Sequence, residues 1–239
     1  MNITFSGRVV VVAGGTGGLG KAVSLAFLEE GAKVFVTYRR EAEFQTLKNS
    51  VGPKLAFLEG HQVDVTDEAS AAHFVDRIVT QHLAIDVLVN TVGGYVGGIK
   101  LWELKTNMFD QMLALNLRSG YSLVRAAVPI MLRAGRGSII NVAAKAAVDH
   151  ASGAAAYAAS KAASVALMDS LAADTRGTGV RVNSVLPSII DTPANRLAMP
   201  EADFATWPKS DDIAKVILFL ASDAAVTIHG ASIPVYGNA

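Results

Sequence analysis

Short runs of apolar, largely β-branched residues recur along the chain and alternate with longer stretches in which apolar positions return every three or four residues. The runs predict strands at Arg8–Ala13, Lys33–Thr37, Leu55–Leu58, Asp86–Asn90, Ser138–Val142, Val180–Leu186 and Ser232–Val235. The longer stretches predict helices at Lys21–Glu30, Asp67–His82, Met108–Arg133, Ala154–Ala173 and Ser210–Ala221. A strand that is apolar at every position needs cover on both faces, and only a parallel sheet with helices on both sides supplies it. The pattern therefore predicts a doubly wound α/β fold with about seven parallel strands. No interior stretch has the composition of a linker, so residues 1–239 read as one dinucleotide-sized domain. Pro187–Pro208, rich in Pro, Asp and Asn, is the one irregular insertion and reads as a substrate loop.

Composition narrows the chemistry. Lys plus Arg total 21 and Asp plus Glu total 21, so the chain lacks the basic surplus that nucleic-acid or anionic-membrane binding requires. There is no Cys, which removes disulfides, thiol nucleophiles and zinc-cysteine sites together. The five His are scattered, so no metal is expected. Met1–Val12 has no basic run before its apolar residues and nothing near the ~20 needed to span a membrane; it reads as the first strand, and the chain as cytoplasmic. The expected partners are a small-molecule substrate and further copies of the chain.

The first chemical signal is Gly14-Gly15-Thr16-Gly17-Gly18-Leu19-Gly20, which follows a strand and opens a helix. Glycines there permit a tight turn and let backbone N–H groups approach a pyrophosphate at the helix N-terminus, a Rossmann-type arrangement. The second is Tyr157-Ala158-Ala159-Ser160-Lys161. Positions i and i+4 share a helix face, so the ammonium is expected to stabilise the phenolate and lower the Tyr pKa.

With these motifs placed, the sequence resembles the short-chain dehydrogenase/reductase family over its whole length. The resemblance rests on the glycine turn, Asp64-Val65, Asn90-Thr91-Val92-Gly93, Asn116, the Tyr157/Lys161 pair, and Pro187 with Thr192-Pro193. It implies a catalytic set of Tyr157 as acid/base, Lys161 on the nicotinamide ribose and Asn116 fixing Lys161 through a water. It further implies a cofactor held by Gly14, Thr16, Gly17, Gly18, Leu19 and Gly20, by Asp64 and Val65 at the adenine, and by Asn90 and Gly93. Pro187, Ile190 and Thr192 complete the implied contacts, with Thr192 at the carboxamide. The same resemblance implies a homo-oligomer, dimer or tetramer, built on the helices near Asn107–Arg133 and Ala154–Ala173, whose Ala162, Ala163, Ala166 and Ala173 would permit close approach.

The family's catalytic serine would fall at Ala144, thirteen residues before Tyr157. Alanine donates no hydrogen bond, and losing a donor at a developing oxyanion typically costs ~3 kcal/mol. The segments around Ala144–Asp149, Gly93–Gly98 and Leu186–Trp207 resemble quinoid dihydropteridine reductases, which also lack the serine. A quinonoid ring accepts hydride without an isolated carbonyl to polarise. Tyr95, Phe204 and Trp207 then offer flat surface for a planar heterocycle. After the second strand, Tyr38 stands where an NAD-preferring enzyme has an acid, and Arg39 follows; Arg suits a 2′-phosphate, so NADPH is expected over NADH. Three functions remain open: a reductase of a pteridine or similar quinonoid, a carbonyl reductase of the 3-oxoacyl thioester type, and a dinucleotide-binding protein without turnover.

Overall fold

A computed structural model describes residues 3–238. The strands are β1 (Val9–Ala13), β2 (Lys33–Tyr38), β3 (Leu58–Gln62), β4 (Val87–Asn90), β5 (Gly137–Val142), β6 (Val180–Pro187) and β7 (Ser232–Val235). They form one parallel sheet in the order β3-β2-β1-β4-β5-β6-β7. In β1, Val10 and Val12 point into one apolar layer while Val9, Val11 and Ala13 point into the other. Alternation sends every second side chain to the opposite face, which is why an unbroken valine run demands two layers of cover. Each valine so removed from water contributes about 1.5–3 kcal/mol relative to exposure.

The helices α1 (Gly18–Glu29), α2 (Glu41–Val51) and α8 (Ser210–Ala221) cover one face, burying Phe27, Phe44, Leu47, Ile213 and Ile217. On the other face lie α3 (Glu68–His82), α5 (Ser119–Ala134) and α6 (Ala155–Asp174), burying Phe74, Ile78, Leu123, Met131 and Met168. A short α4 (Thr106–Leu113) precedes α5 and packs on α6, and α7 (Pro193–Ala198) lies within the loop that follows β6. Asp67 caps α3 by accepting from Ser70 N at 2.8 Å, a contact worth about 1 kcal/mol.

Five elements differ from the sequence expectation. The third strand is not Leu55–Leu58: residues 52–57 form a 3-10 turn around Pro53, and the strand is the more polar Leu58–Gln62. It pairs only with β2, and an edge strand needs no apolar run to be stable. The α2 helix was not expected because its buried positions, Phe44, Leu47 and Val51, are few among polar residues. The stretch Met108–Arg133 is not one regular helix; α4 and α5 are joined by a π-helical turn at Ala114–Arg118. The loop Pro187–Pro208 contains α7, whose start Thr192 caps by accepting from Asn195 N. Of the segment Met1–Val12, only Val9 onward is strand, and Met1 and Asn2 lie outside the described residues. Among the described residues no helix is long and apolar enough to cross a membrane.

Candidate active site

Strand order reverses between β1 and β4, and the carboxyl ends of parallel strands open a crevice at such a point. A groove of about 620 Å³ lies there, lined by Gly14, Thr16, Gly17, Tyr38, Arg39, Asp64, Val65, Thr91, Val92 and Gly93. The glycine turn forms its floor. Gly14 adopts φ 73°, its N–H donates to Thr37 Oγ1 at 2.9 Å, and its carbonyl accepts from Gly17 N at 3.0 Å. A Cβ on Gly20 would stand 2.0 Å from the Gly14 carbonyl oxygen, so only glycine lets turn and helix close on each other.

No side chain caps α1, so its first N–H groups have no partner inside the helix and remain for an anion or solvent. Leu19 has only its backbone to offer there, because its side chain is buried in the core. Val65 is likewise a core side chain beside the groove. The Asp64 carboxyl is held below the usual range by hydrogen bonds from the Thr66 hydroxyl and N–H, with the Arg39 charge assisting. Past β2 the polar groups divide. Tyr38 stacks on Phe44 with centroids 4.9 Å apart and donates to Glu41, and Arg40 pairs with Glu43. Arg39 lines the groove and joins no ion pair among the described residues. Outside the groove's lining, Thr192 stands beside the start of α1, its methyl 2.9 Å from where a Cβ on Gly18 would lie, and the nearby Ile190 carbonyl accepts from Asn195 Nδ2 at 2.8 Å. Pro187 and Asn90 are buried at the ends of β6 and β4. An uncapped helix start, a tight backbone turn and an unpaired arginine together fit a dinucleotide's phosphates.

Tyr157 and Lys161 lie one turn apart on α6, beside the end of β5. Lys161 is buried and donates from Nζ to the Val142 carbonyl at 2.9 Å; burial pushes its pKa down to about 8. The expected lowering of the Tyr157 pKa is not found. Burial, with Tyr95 nearby, pushes that phenol up to about 12, because desolvation disfavours the phenolate and Lys161 is turned to a backbone carbonyl. Asn116 sits in the π turn, a distortion that swings one residue out of helical register. Its Oδ1 accepts from Gly94 N at 2.9 Å, and its Nδ2 donates to Gly94 O at 3.0 Å and to Ser160 Oγ at 2.9 Å. Ser160 in turn donates to the Tyr157 carbonyl at 2.7 Å. The amide therefore fastens the β4 loop to α6, with Gly93 lying between Asn116 Oδ1 and Lys161 Nζ.

Sequence reasoning missed Gly94, Ser160 and the Val142 carbonyl; the doubled glycine after β4 was the available signal for the first. Ala144 is extended and buried at the end of β5 and brings no donor. Trp207 is a buried packing anchor and not a stacking surface: it lies 5.0 Å from Phe204, whose ring is covered by the Arg196 guanidinium at 4.8 Å. Of the three aromatics, Tyr95 is the one that meets Tyr157 on α6, edge-on at 5.0 Å between centroids. A second cavity of about 330 Å³ opens at the other end of the sheet, but its Asp86 is already held by Arg8 and Arg136, and its Arg181 caps the carbonyls that end α8.

The fold and groove define an oxidoreductase that works with a nicotinamide dinucleotide. The chain matches the short chain dehydrogenase family over residues 8–202. It is 30% identical to the 3-oxoacyl-(acyl-carrier-protein) reductase FabG of Thermotoga maritima, over 97% of each chain. It is 32% identical to D-threitol dehydrogenase of Mycolicibacterium smegmatis, over 97% of this chain and 92% of that one. The solved structure of ElxO with NADP bound superposes with a TM-score of 0.91 at 26% identity, covering 96% of this chain and 97% of the other. The chain belongs to the short-chain dehydrogenase/reductase family.

Proposed function

We propose that the chain is an NADPH-dependent reductase whose substrate is a quinonoid dihydropteridine or a similar conjugated ring. The observation that carries this reading is Ala144: a buried methyl where the family places a serine, in a site that keeps Tyr157, Lys161 and Asn116. A conjugated ring takes up hydride without an isolated carbonyl to polarise, so an orienting hydrogen bond to it need not come from the serine's position. The nicotinamide of the bound cofactor supplies the hydride.

The chain's own residues supply the rest. A phenol raised to about 12 keeps its proton at neutral pH, so Tyr157 is a donor until the substrate becomes basic enough to take the proton. Lys161, with a pKa near 8, is mostly charged at pH 7; held at the Val142 carbonyl, its ammonium would bind the nicotinamide ribose. Asn116 holds the Gly93-Gly94 backbone against α6 and so fixes the wall of the cleft. Arg39, unpaired in the groove, favours the 2′-phosphate of NADPH, and the glycine turn with Asp64, Val65, Asn90, Gly93, Pro187, Ile190 and Thr192 frames the remainder of the cofactor.

The carbonyl reading stays in view because of the 30% identity to a 3-oxoacyl thioester reductase. An NADPH-oxidation assay separates the two: quinonoid dihydropterin against a panel of small ketones and acetoacetyl thioester. Turnover of the pterin well above every carbonyl is the expected result, and the reverse order sinks the pteridine assignment. We also infer one domain and a cytoplasmic homo-oligomer formed through α5 and α6, on which Tyr121, Leu132, Ala166 and Ala173 are exposed. Sedimentation velocity should show a dimer or tetramer.

A further inference from the structure

A substrate atom beside Tyr157 would have one phenolic donor and, at Ala144, none. The neighbouring hydroxyls do not replace it. Ser160 gives its hydrogen to the Tyr157 carbonyl, Ser164 to the Lys161 carbonyl at 2.8 Å, and Ser188 to the Tyr236 carbonyl at 2.7 Å. Tyr95 differs from all three. Its ring meets the Tyr157 ring edge-to-face, centroids 5.0 Å apart and planes 80° apart, and the residue is 66% exposed. Among the described residues, neither phenol hydroxyl has a hydrogen-bond partner in the protein.

The position of Tyr95 depends on Gly97. A Cβ there would fall 1.9 Å from the Tyr95 hydroxyl oxygen, although the φ of Gly97 lies outside the left-handed region. Glycine is needed at 97 for the space it leaves, and the phenol fills that space. The ring is thereby folded back against Tyr157 while most of the residue stays exposed.

We propose that the Tyr95 hydroxyl is a second hydrogen-bond donor to the substrate atom that Tyr157 protonates, standing in for the hydroxyl absent at Ala144. The inference rests on the reductase reading. Tyr95 binds the atom where charge gathers, and the transferred proton comes from Tyr157. An aromatic ring alone would offer cover, whereas a hydroxyl offers direction.

The test is a double-mutant cycle on NADPH oxidation by quinonoid dihydropterin and by the best carbonyl of the panel. Tyr95→Phe keeps the ring and should lower kcat by about 10²-fold, the usual loss for one such donor, with KM little changed. Gly97→Ala should do the same by displacing the phenol. Ala144→Ser should restore most of the kcat in the Tyr95→Phe background and change the wild type only slightly. Wild-type kcat in Tyr95→Phe, or equal acceleration by Ala144→Ser in both backgrounds, overturns the proposal. If the wild type oxidises NADPH with none of these compounds, the reductase reading has failed separately, and ultraviolet titration of phenolate in the free protein decides the geometry. With Tyr157→Phe used to assign the signal, Tyr95→Phe should move the Tyr157 titration to lower pH, since the neighbouring phenol that raises it is gone. An unmoved titration shows that the hydroxyls do not face one another and overturns the inference.

Discussion

Replacing Lys161 with methionine removes an ammonium group that is only 5% exposed and makes one hydrogen bond, to the Val142 carbonyl at 2.9 Å. Burial depresses its pKa from 10.5 to about 8. Below pH 8 both folded and unfolded chains hold the proton, and the folded state bears the whole penalty, about 3 kcal/mol. From pH 8 to 10.5 the unfolded chain keeps a proton that the folded chain has lost. Wild-type stability therefore rises through that window, by at most ~1.4 kcal/mol per pH unit. Methionine abolishes this rise. It also leaves the Val142 carbonyl unpaired, at a cost of about 1–3 kcal/mol, so the two effects largely offset each other near neutrality. The informative quantity is accordingly the difference in pH dependence. Urea unfolding of both proteins across the window should show the wild type gaining about 2–3 kcal/mol on the variant, while NADPH oxidation by the variant falls steeply. Parallel stability curves would refute the assignment of Lys161 as a buried, unpaired cation.

Other substitutions probe the rest of the site. Arg39→Ala should raise the Kd for NADPH about 10- to 100-fold, the value of a charged hydrogen bond, and leave that for NADH alone; equal changes in both, measured by fluorescence titration, would remove Arg39 from the 2′-phosphate. Tyr157→Phe should lower kcat by about 10²–10⁴-fold with NADPH affinity retained, and loss of binding without loss of kcat would contradict its role as donor. Asn116→Ala strands both the N–H and the C=O of Gly94 and should cost about 2–4 kcal/mol in urea unfolding, with kcat reduced; a stability change near zero would mean that the β4 loop is held by something else.

How much was legible beforehand follows from where the information resides. Val9–Ala13 is apolar at every position, so burial on both faces, and hence the parallel sheet, could be read from composition along a few residues. The glycine turn and the Tyr157/Lys161 pair are equally local, because a strand-turn-helix corner and one helical turn are short enough to be specified by spacing. Elements whose stability comes from partners elsewhere were not readable. The α2 helix rests on three buried side chains, β3 on pairing with β2, and the π turn on what Asn116 reaches across twenty-two residues to Gly94.

Spacing placed Lys161 one turn from Tyr157, yet the direction of the phenol's shift depended on tertiary burial, on the Val142 carbonyl that occupies the ammonium, and on Tyr95 arriving from the β4 loop. The amino-acid order by itself determined the sheet, the cofactor turn and the identity of the chemical groups, because each of those is encoded in neighbouring residues. Which hydroxyls remain free, how far each charge is desolvated and which ring meets which were decided only when distant segments packed together, since electrostatics and close contact depend on separation in space and not along the chain.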